Sequence, residues 1–297
     1  MRRVSLLLLG LGMSTPCRAQ VPRLLTTDSL AGWLRAPSGS EVVLLDVREP
    51  WVSYLQDHLP GAAWLNVETL RATEGELPFQ LLPPSHYAEL FRRLGLAPET
   101  PVVVYSAGDQ LDIDATFVAW LLASAGATRV YLLDGGYAKW VLEGRPLTQH
   151  YPRRPLPIAR FDAGQFHPTV ASLADVQAAL RDGGPLLVDA RPADQYSGAA
   201  GAQLRRGHIP GARNHPWKDD LVRTDSALVW KSVTALRAVY MAQGITPDRD
   251  IILYCNSSTE ASHVLFTLSY LLGYPRVRIF TGAWSEWSER EDLPIER

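Results

Sequence analysis

Two short stretches decide how this chain folds: Pro101-Val-Val-Val-Tyr105-Ser106 and Asp250-Ile-Ile-Leu-Tyr254-Cys255. Each is an apolar, β-branched run without polar alternation, which reads as a strand buried on both faces of a parallel sheet. Three further blocks recur around them in the same order. Val42-Val-Leu-Leu-Asp46-Val-Arg48 is echoed by Pro185-Leu-Leu-Val-Asp189-Ala-Arg191, and His58-Leu-Pro60-Gly61-Ala62 by His208-Ile-Pro210-Gly211-Ala212. Leu133-Asp-Gly135-Gly-Tyr-Ala-Lys-Trp140 returns as Phe280-Thr-Gly282-Ala-Trp-Ser-Glu-Trp287. The offsets are 143, 150, 149 and 147, so one unit is present twice with small insertions.

Strands are expected at 42–46, 101–105 and 129–133, then at 185–189, 250–254 and 276–280. Helical patterns lie between them, at Ser85 to Gly95, Ile113 to Ala125, Ser172 to Arg181 and Glu260 to Leu272. This alternation predicts an α/β fold of two tandem domains, each a parallel sheet covered by helices on both faces. A length of 297 residues suits two cores. The expected division is a signal peptide at 1–19, an N-terminal domain at 24–147, a linker at 148–168 and a C-terminal domain at 169–297. The linker carries Pro152, Pro155, Pro157 and Pro168.

A net charge of −2 supplies no basic face for nucleic acid. Nor does any apolar run reach the roughly 20 residues of a membrane span. Arg2 and Arg3, the apolar run Val4 to Met13, and Cys17-Arg18-Ala19 have the order of a secretory signal peptide cut after Ala19, which implies a periplasmic or secreted protein. The competing reading is a buried helix, for which Gly10, Gly12 and Pro16 are poor residues. Thr15-Pro16 is a poor approach to a lipid anchor at Cys17. Cleavage leaves Cys255 as the lone thiol, too few for a disulfide framework. Such a thiol is either reactive or an inert core residue. One cysteine and scattered histidines lack metal-ligand spacing, and no cofactor is expected.

In an open parallel sheet, ligands gather beyond the carboxyl ends of the strands, and Cys255 directly follows one. Ser257-Ser-Thr-Glu260 has capping-box spacing ahead of the apolar pattern Leu265, Phe266, Leu268, Leu271 and Leu272. The sulfur is therefore expected where free amides and a helix dipole converge. A free cysteine has a pKa of about 8.5, and a lowering by about two pH units would make thiolate the majority form. That change corresponds to roughly 2.7 kcal/mol. An ionised Cys255 with no partner base is the expectation.

Taken together, the Asp-x-Arg, His-x-Pro-Gly-Ala, strand–Tyr–Cys–loop–helix and Gly-x-x-x-x-Trp blocks resemble those of tandem-domain rhodaneses, the thiosulfate and 3-mercaptopyruvate sulfurtransferases. The resemblance spans residues 24–296. It implies that Cys255 takes a sulfur from thiosulfate or 3-mercaptopyruvate and carries it as a persulfide. Cyanide or a small thiol then removes it in a ping-pong cycle, and the protein is expected to be a monomer. It also implies assistance from Ser257, two residues after the nucleophile. Ser106 holds the corresponding place in the first half and cannot form a persulfide, so that half should be a silent wall of the cleft. Ser106 as a hydrolase nucleophile lacks an adjacent histidine.

The chain departs from the family in two places. Family loops run Cys-Arg-Lys-Gly or Cys-Gly-Ser-Gly, whereas Cys255-Asn256-Ser257-Ser258-Thr259-Glu260 has no cation, no glycine and one acid. Ser257, Ser258 and Thr259 can donate to sulfur or an oxyanion, or simply cap the helix. Glu260 either faces the loop and repels an anionic donor, or caps. Gln195 replaces an arginine that contacts the substrate in the family, leaving Arg205 and Arg206 as candidate substitutes. Asp189, Arg191 and His208 are expected to support the loop, because Asp46, Arg48 and His58 repeat them in the silent half. Glu68 lies where the mercaptopyruvate enzymes place an acid facing the cysteine. Trp284 and Trp287 should pack the last strand–helix junction, with Trp284 alternatively lining the cleft. A phosphatase reading needs Cys-x5-Arg, and that position holds Ala261. A neutral loop leans toward mercaptopyruvate or an organic persulfide. The rival reading is a non-catalytic exported module that binds a thiol or sulfur-carrying partner.

Overall fold

The computed structural model describes residues 21–36, 41–109, 113–153, 160–181, 183–225 and 227–297, and the expected signal peptide at 1–19 lies outside the described residues. The first half contributes β1 (Arg23–Leu25), β2 (Val43–Asp46), β3 (Ala62–Trp64), β4 (Arg71–Glu74), β5 (Leu77–Leu81), β6 (Val102–Tyr105) and β7 (Val130–Leu133). The second contributes β8 (Val170–Ala171), β9 (Leu186–Asp189), β10 (Arg213–Asn214), β11 (Leu221–Thr224), β12 (Ala227–Trp230), β13 (Ile251–Tyr254) and β14 (Val277–Phe280). Parallel sheets run β1-β7-β6-β2-β3 and β8-β14-β13-β9-β10, so the halves match strand for strand. The β4–β5 and β11–β12 pairs are antiparallel hairpins outside these sheets.

Each expected strand appears within a residue of its place. β2, β6, β9 and β13 are buried at every position, which is why their sequences do not alternate. The edge strands β1, β3, β8 and β10 are two or three residues long, too short for a periodic signal.

Alternation along a strand sends successive side chains to opposite faces. Ile251, Leu253 and Cys255 fall in one apolar cluster with Val43, Leu45, Val102 and Val104 of the first half. Ile252 and Tyr254 pack on the other face, with Leu187, Trp284 and Trp287. The cysteine thus points to the face where the halves meet. On that face the helix Ile113–Ser124 is buried nearly all round, against its own sheet and against the helix Thr259–Leu265. Thr116 Oγ1 and Ser262 Oγ lie 3.0 Å apart across this contact.

The hairpins cross over between halves. The Leu228 amide of β12 donates to Gly108 O at 2.7 Å, and the Trp230 amide to Asp134 Oδ1 at 3.1 Å. Reciprocally, Arg71 of β4 reaches the loop after β13.

Buried ion pairs hold the strand ends in both halves. Arg48 Nη2 lies 2.8 Å from Asp46 Oδ2, which also accepts from Tyr105 Oη at 2.7 Å. In the second half, Arg191 Nη2 lies 2.5 Å from Asp189 Oδ2 and donates to Gly207 O at 2.8 Å. Asp46→Ala, in the half without the cysteine, strips a buried guanidinium of its closest anion and leaves it only the longer ionic contact to Asp57 at 3.9 Å. It should cost about 3–5 kcal/mol, measured from the shift of the denaturant midpoint.

Candidate active site

β13 ends at Tyr254, and the chain turns at once. Ser258 adopts φ 73°, a left-handed conformation, at the place where the resembling loops carry glycine. For a residue with a side chain this costs about 1–2 kcal/mol. The turn curls the loop around the sulfur, and the amides of Ser257, Glu260 and Ala261 donate to Cys255. In the first half Ser106 Oγ accepts the Ala115 amide at 3.0 Å, so an oxygen fills the equivalent cradle there.

Cys255 is fully buried. Burial pushes its thiol up to about 12, and the neighbouring Glu260 carboxylate adds to the rise. The three amides pull the other way and do not win. Burial beside a negative charge thus works against the expected resting thiolate, while the loop amides favour it.

The capping box is not formed either. The N-cap of the helix Thr259–Leu265 is Ser258, whose side chain makes no cap hydrogen bond. The Glu260 carboxylate instead turns back and accepts from Cys255. Burial, then the Asp189 carboxylate, push Glu260 up to about 7, against the pull of Arg191, the Cys255 hydrogen bond and Lys218. The acid faces the loop.

Asn256 Nδ2 donates to Gln195 Oε1 at 2.8 Å, so Gln195 does reach the loop, as a neutral partner. Ser257 Oγ and Thr259 Oγ1 lie 3.3 Å apart, while Ser258 Oγ turns away toward Thr281 O. The missing cation comes from the other half. Arg71 Nη1 donates to Ser257 O and to Thr259 Oγ1, each at 3.0 Å. Its guanidinium lies 5.0 Å and 5.5 Å from the ring centres of Phe79 and Phe117. Glu68 pairs with Arg71 at the exposed rim rather than facing the sulfur alone. Nearby Asp114, another residue the sequence reading missed, is pushed up to about 6 by burial, against the pull of Arg71. No local motif marks Arg71, because its partner is 186 positions away.

Other candidates lie elsewhere. Arg205 donates to the carbonyls of Arg290 and Leu293, which ties down the C-terminal segment, and Arg206 is exposed with its carbonyl taken by Arg297 Nε. Neither substitutes for the missing arginine, since one guanidinium is already committed and the other is turned to solvent. Asp189 and Arg191 pack beneath the loop, with the guanidinium 4.5 Å from the ring centre of Trp284. That tryptophan is buried, so it packs rather than lining the cleft. His208 stacks on Tyr196 and donates from Nδ1 to Tyr196 O, as His58 stacks on Tyr54 and donates from Nδ1 to Tyr54 O. Among the described residues, no group of three or more His, Cys, Asp or Glu side chains could hold a metal ion.

A family model described as a rhodanese-like domain matches residues 30–143 and again 172–290. The chain is 34% identical to the 3-mercaptopyruvate sulfurtransferase of Escherichia coli K12, over 82% of this chain and 84% of that one. It is 32% identical to the thiosulfate sulfurtransferase of Corynebacterium glutamicum, over 90% and 89%. It is 34% identical to the sulfur carrier protein TtuD of Thermus thermophilus, over 92% and 96%. Among solved structures, SseA from Escherichia coli, described as having the rhodanese fold, matches with a TM-score of 0.74 and 31% identity, covering 89% of this chain and 99% of that one.

Glu260 holds its proton up to about pH 7 when folded, against an ordinary value of 4.5. Its contribution to stability is therefore full below pH 4.5 and lost as pH rises through 7. Glu260→Gln should flatten that part of the stability profile, read from denaturant midpoints across the same window.

Proposed function

The chain belongs to the rhodanese family, and from that footing we propose that it moves a sulfane sulfur from thiosulfate or 3-mercaptopyruvate to cyanide or a thiol through a persulfide on Cys255. It is a sulfurtransferase with two rhodanese-like units in tandem. One observation carries the role of Cys255. The free thiol stands at the carboxyl end of a central strand, inside a ring of main-chain amides, on the face where the two halves meet.

Sulfur uptake begins with attack of Cys255 Sγ on the donor's outer sulfur. A new S–S bond forms, and sulfite or pyruvate departs. The amides of Ser257, Glu260 and Ala261, which already point at Sγ, are suited to hold the persulfide anion. Arg71, paired with Glu68 at the rim, brings a guanidinium to the loop where Gln195 is neutral, and its hold on Ser257 O keeps the loop curled. Ser257 and Thr259 offer hydroxyls at the same place. Asn256 and Gln195 brace the loop through their mutual hydrogen bond. The first half contributes the wall and Arg71 but no nucleophile, because Ser106 has no thiolate-like state.

The reading extends to an exported monomer. The signal-like order of residues 2–19 supports export, and the site draws on both halves of a single chain. The full burial of the thiol is the one observation that favours the rival, a non-catalytic module that binds a thiol or sulfur-carrying partner.

Mass measurement after incubation with each donor separates the two. The expected result is a gain of one sulfur atom, absent in Cys255→Ser; no gain with either donor leaves the module. Arg71→Met removes two charge-assisted contacts to the loop, and kcat/KM should fall about 10- to 100-fold with either donor.

A further inference from the structure

We propose that Glu260 is the proton acceptor of Cys255, and that this pair suits the site to organic sulfur donors whose leaving group must take up a proton. The inference rests on the sulfurtransferase reading and assigns chemistry to the acid that sets this loop apart. Three observations support it.

First, Glu260 stands in the first turn of the helix that begins just after the cysteine's loop, and its side chain hydrogen-bonds with the thiol from there. Second, the sulfur is fully buried, so its proton passes to a neighbouring protein group rather than to bulk water. Third, the groups around Glu260 leave it alone in that position. Asp189 is gripped by Arg191 through both carboxylate oxygens, at 2.9 and 2.5 Å, and by its own backbone turn. Arg191 and Lys218 are cations, and the loop's remaining side chains, Asn256, Ser257, Ser258 and Thr259, are neutral. His263 packs against Trp230 and Trp217, and His215 is bound to Asp220.

The step balances differently for the two donors. With thiosulfate, the thiol proton moves to Glu260, the S–S bond forms, and sulfite leaves with the electron pair of the broken bond. Sulfite needs no proton, so the neutral acid stays behind until an acceptor strips the outer sulfur and Cys255 takes the proton back. With 3-mercaptopyruvate entering as its thiolate, the C–S bond breaks and its electron pair becomes the pyruvate enolate. Glu260 then hands the proton to the enolate carbon, pyruvate leaves, and the carboxylate is restored within the same half-reaction. A thiol acceptor closes the cycle by giving its own proton through Glu260 to the departing Cys255 sulfur. An ionised Glu260 also repels a dianion such as thiosulfate before the step begins.

Single-turnover persulfide formation, followed by rapid mixing with each donor, tests this in the wild type, Glu260→Gln and Glu260→Asp. General-base catalysis is worth about 10²–10⁴-fold, so uptake from 3-mercaptopyruvate should slow at least about a hundredfold in Glu260→Gln. Uptake from thiosulfate should also slow, because the same proton must leave Cys255, but by less, since no enolate has to be protonated and a repelling charge is gone; Glu260→Asp should recover part of either loss. The wild-type rate with 3-mercaptopyruvate should climb with pH through about 7, and Glu260→Gln should lack that limb. Equal rates and pH profiles in wild type and Glu260→Gln, or equal losses with both donors and the limb intact, overturn the role of Glu260 while leaving sulfur transfer in place. A wild-type protein that gains no sulfur from either donor overturns both.

Discussion

The helices Ile113–Ser124 and Thr259–Leu265 bury each other as well as packing on their own sheets, and the arrangement of the cleft follows from that contact. Neither half could expose its helix to water without a large apolar face, so the two sheets share one core. Once the helices are locked together, the carboxyl ends of β6 and β13 face the same seam. Each hairpin then falls over the loop of the opposite half. Duplication alone makes two similar domains; the shared core makes one composite site.

That geometry has an electrostatic consequence. A loop without a cation of its own sits at the end of a strand, where main-chain amides favour negative charge. Burying it raises the cost of ionising the thiol and the acid together. Both groups are therefore harder to ionise than usual, and Arg71 is held against the same loop from across the seam. Charge develops on the sulfur only when something takes the proton. This differs from a cysteine kept permanently ionised, and it makes the first half more than a spacer.

The repeated ion pairs show which parts are scaffold. Asp46–Arg48 and Asp189–Arg191 adopt the same bonds, and His58 and His208 the same stack, although one half holds serine at the central position. Features present in both halves serve the fold. Features present in one only, namely Cys255, Glu260 and Gln195 in the second half and Arg71 in the first, are not needed by the fold and are where the proposed chemistry draws its residues.

Four recurring blocks in the sequence were enough to read off the duplication, the parallel sheets, the place of Cys255 at a strand end and the serine at the matching position of the first half. These are legible because strand burial, strand ends and helix starts are written in neighbouring residues. The state of the thiol, the direction of Glu260 and the source of the cation were not. Ser257 to Glu260 carries the spacing of a cap, yet Ser258 takes the left-handed turn and releases the carboxylate toward the sulfur. Arg205 and Arg206 stood near the right motif but are held at the C-terminal tail or turned to solvent, while Arg71 arrives from another domain. Local pattern determines which elements form; burial and charge at a point in space depend on what the remaining chain brings there, and only the tertiary fold decides that.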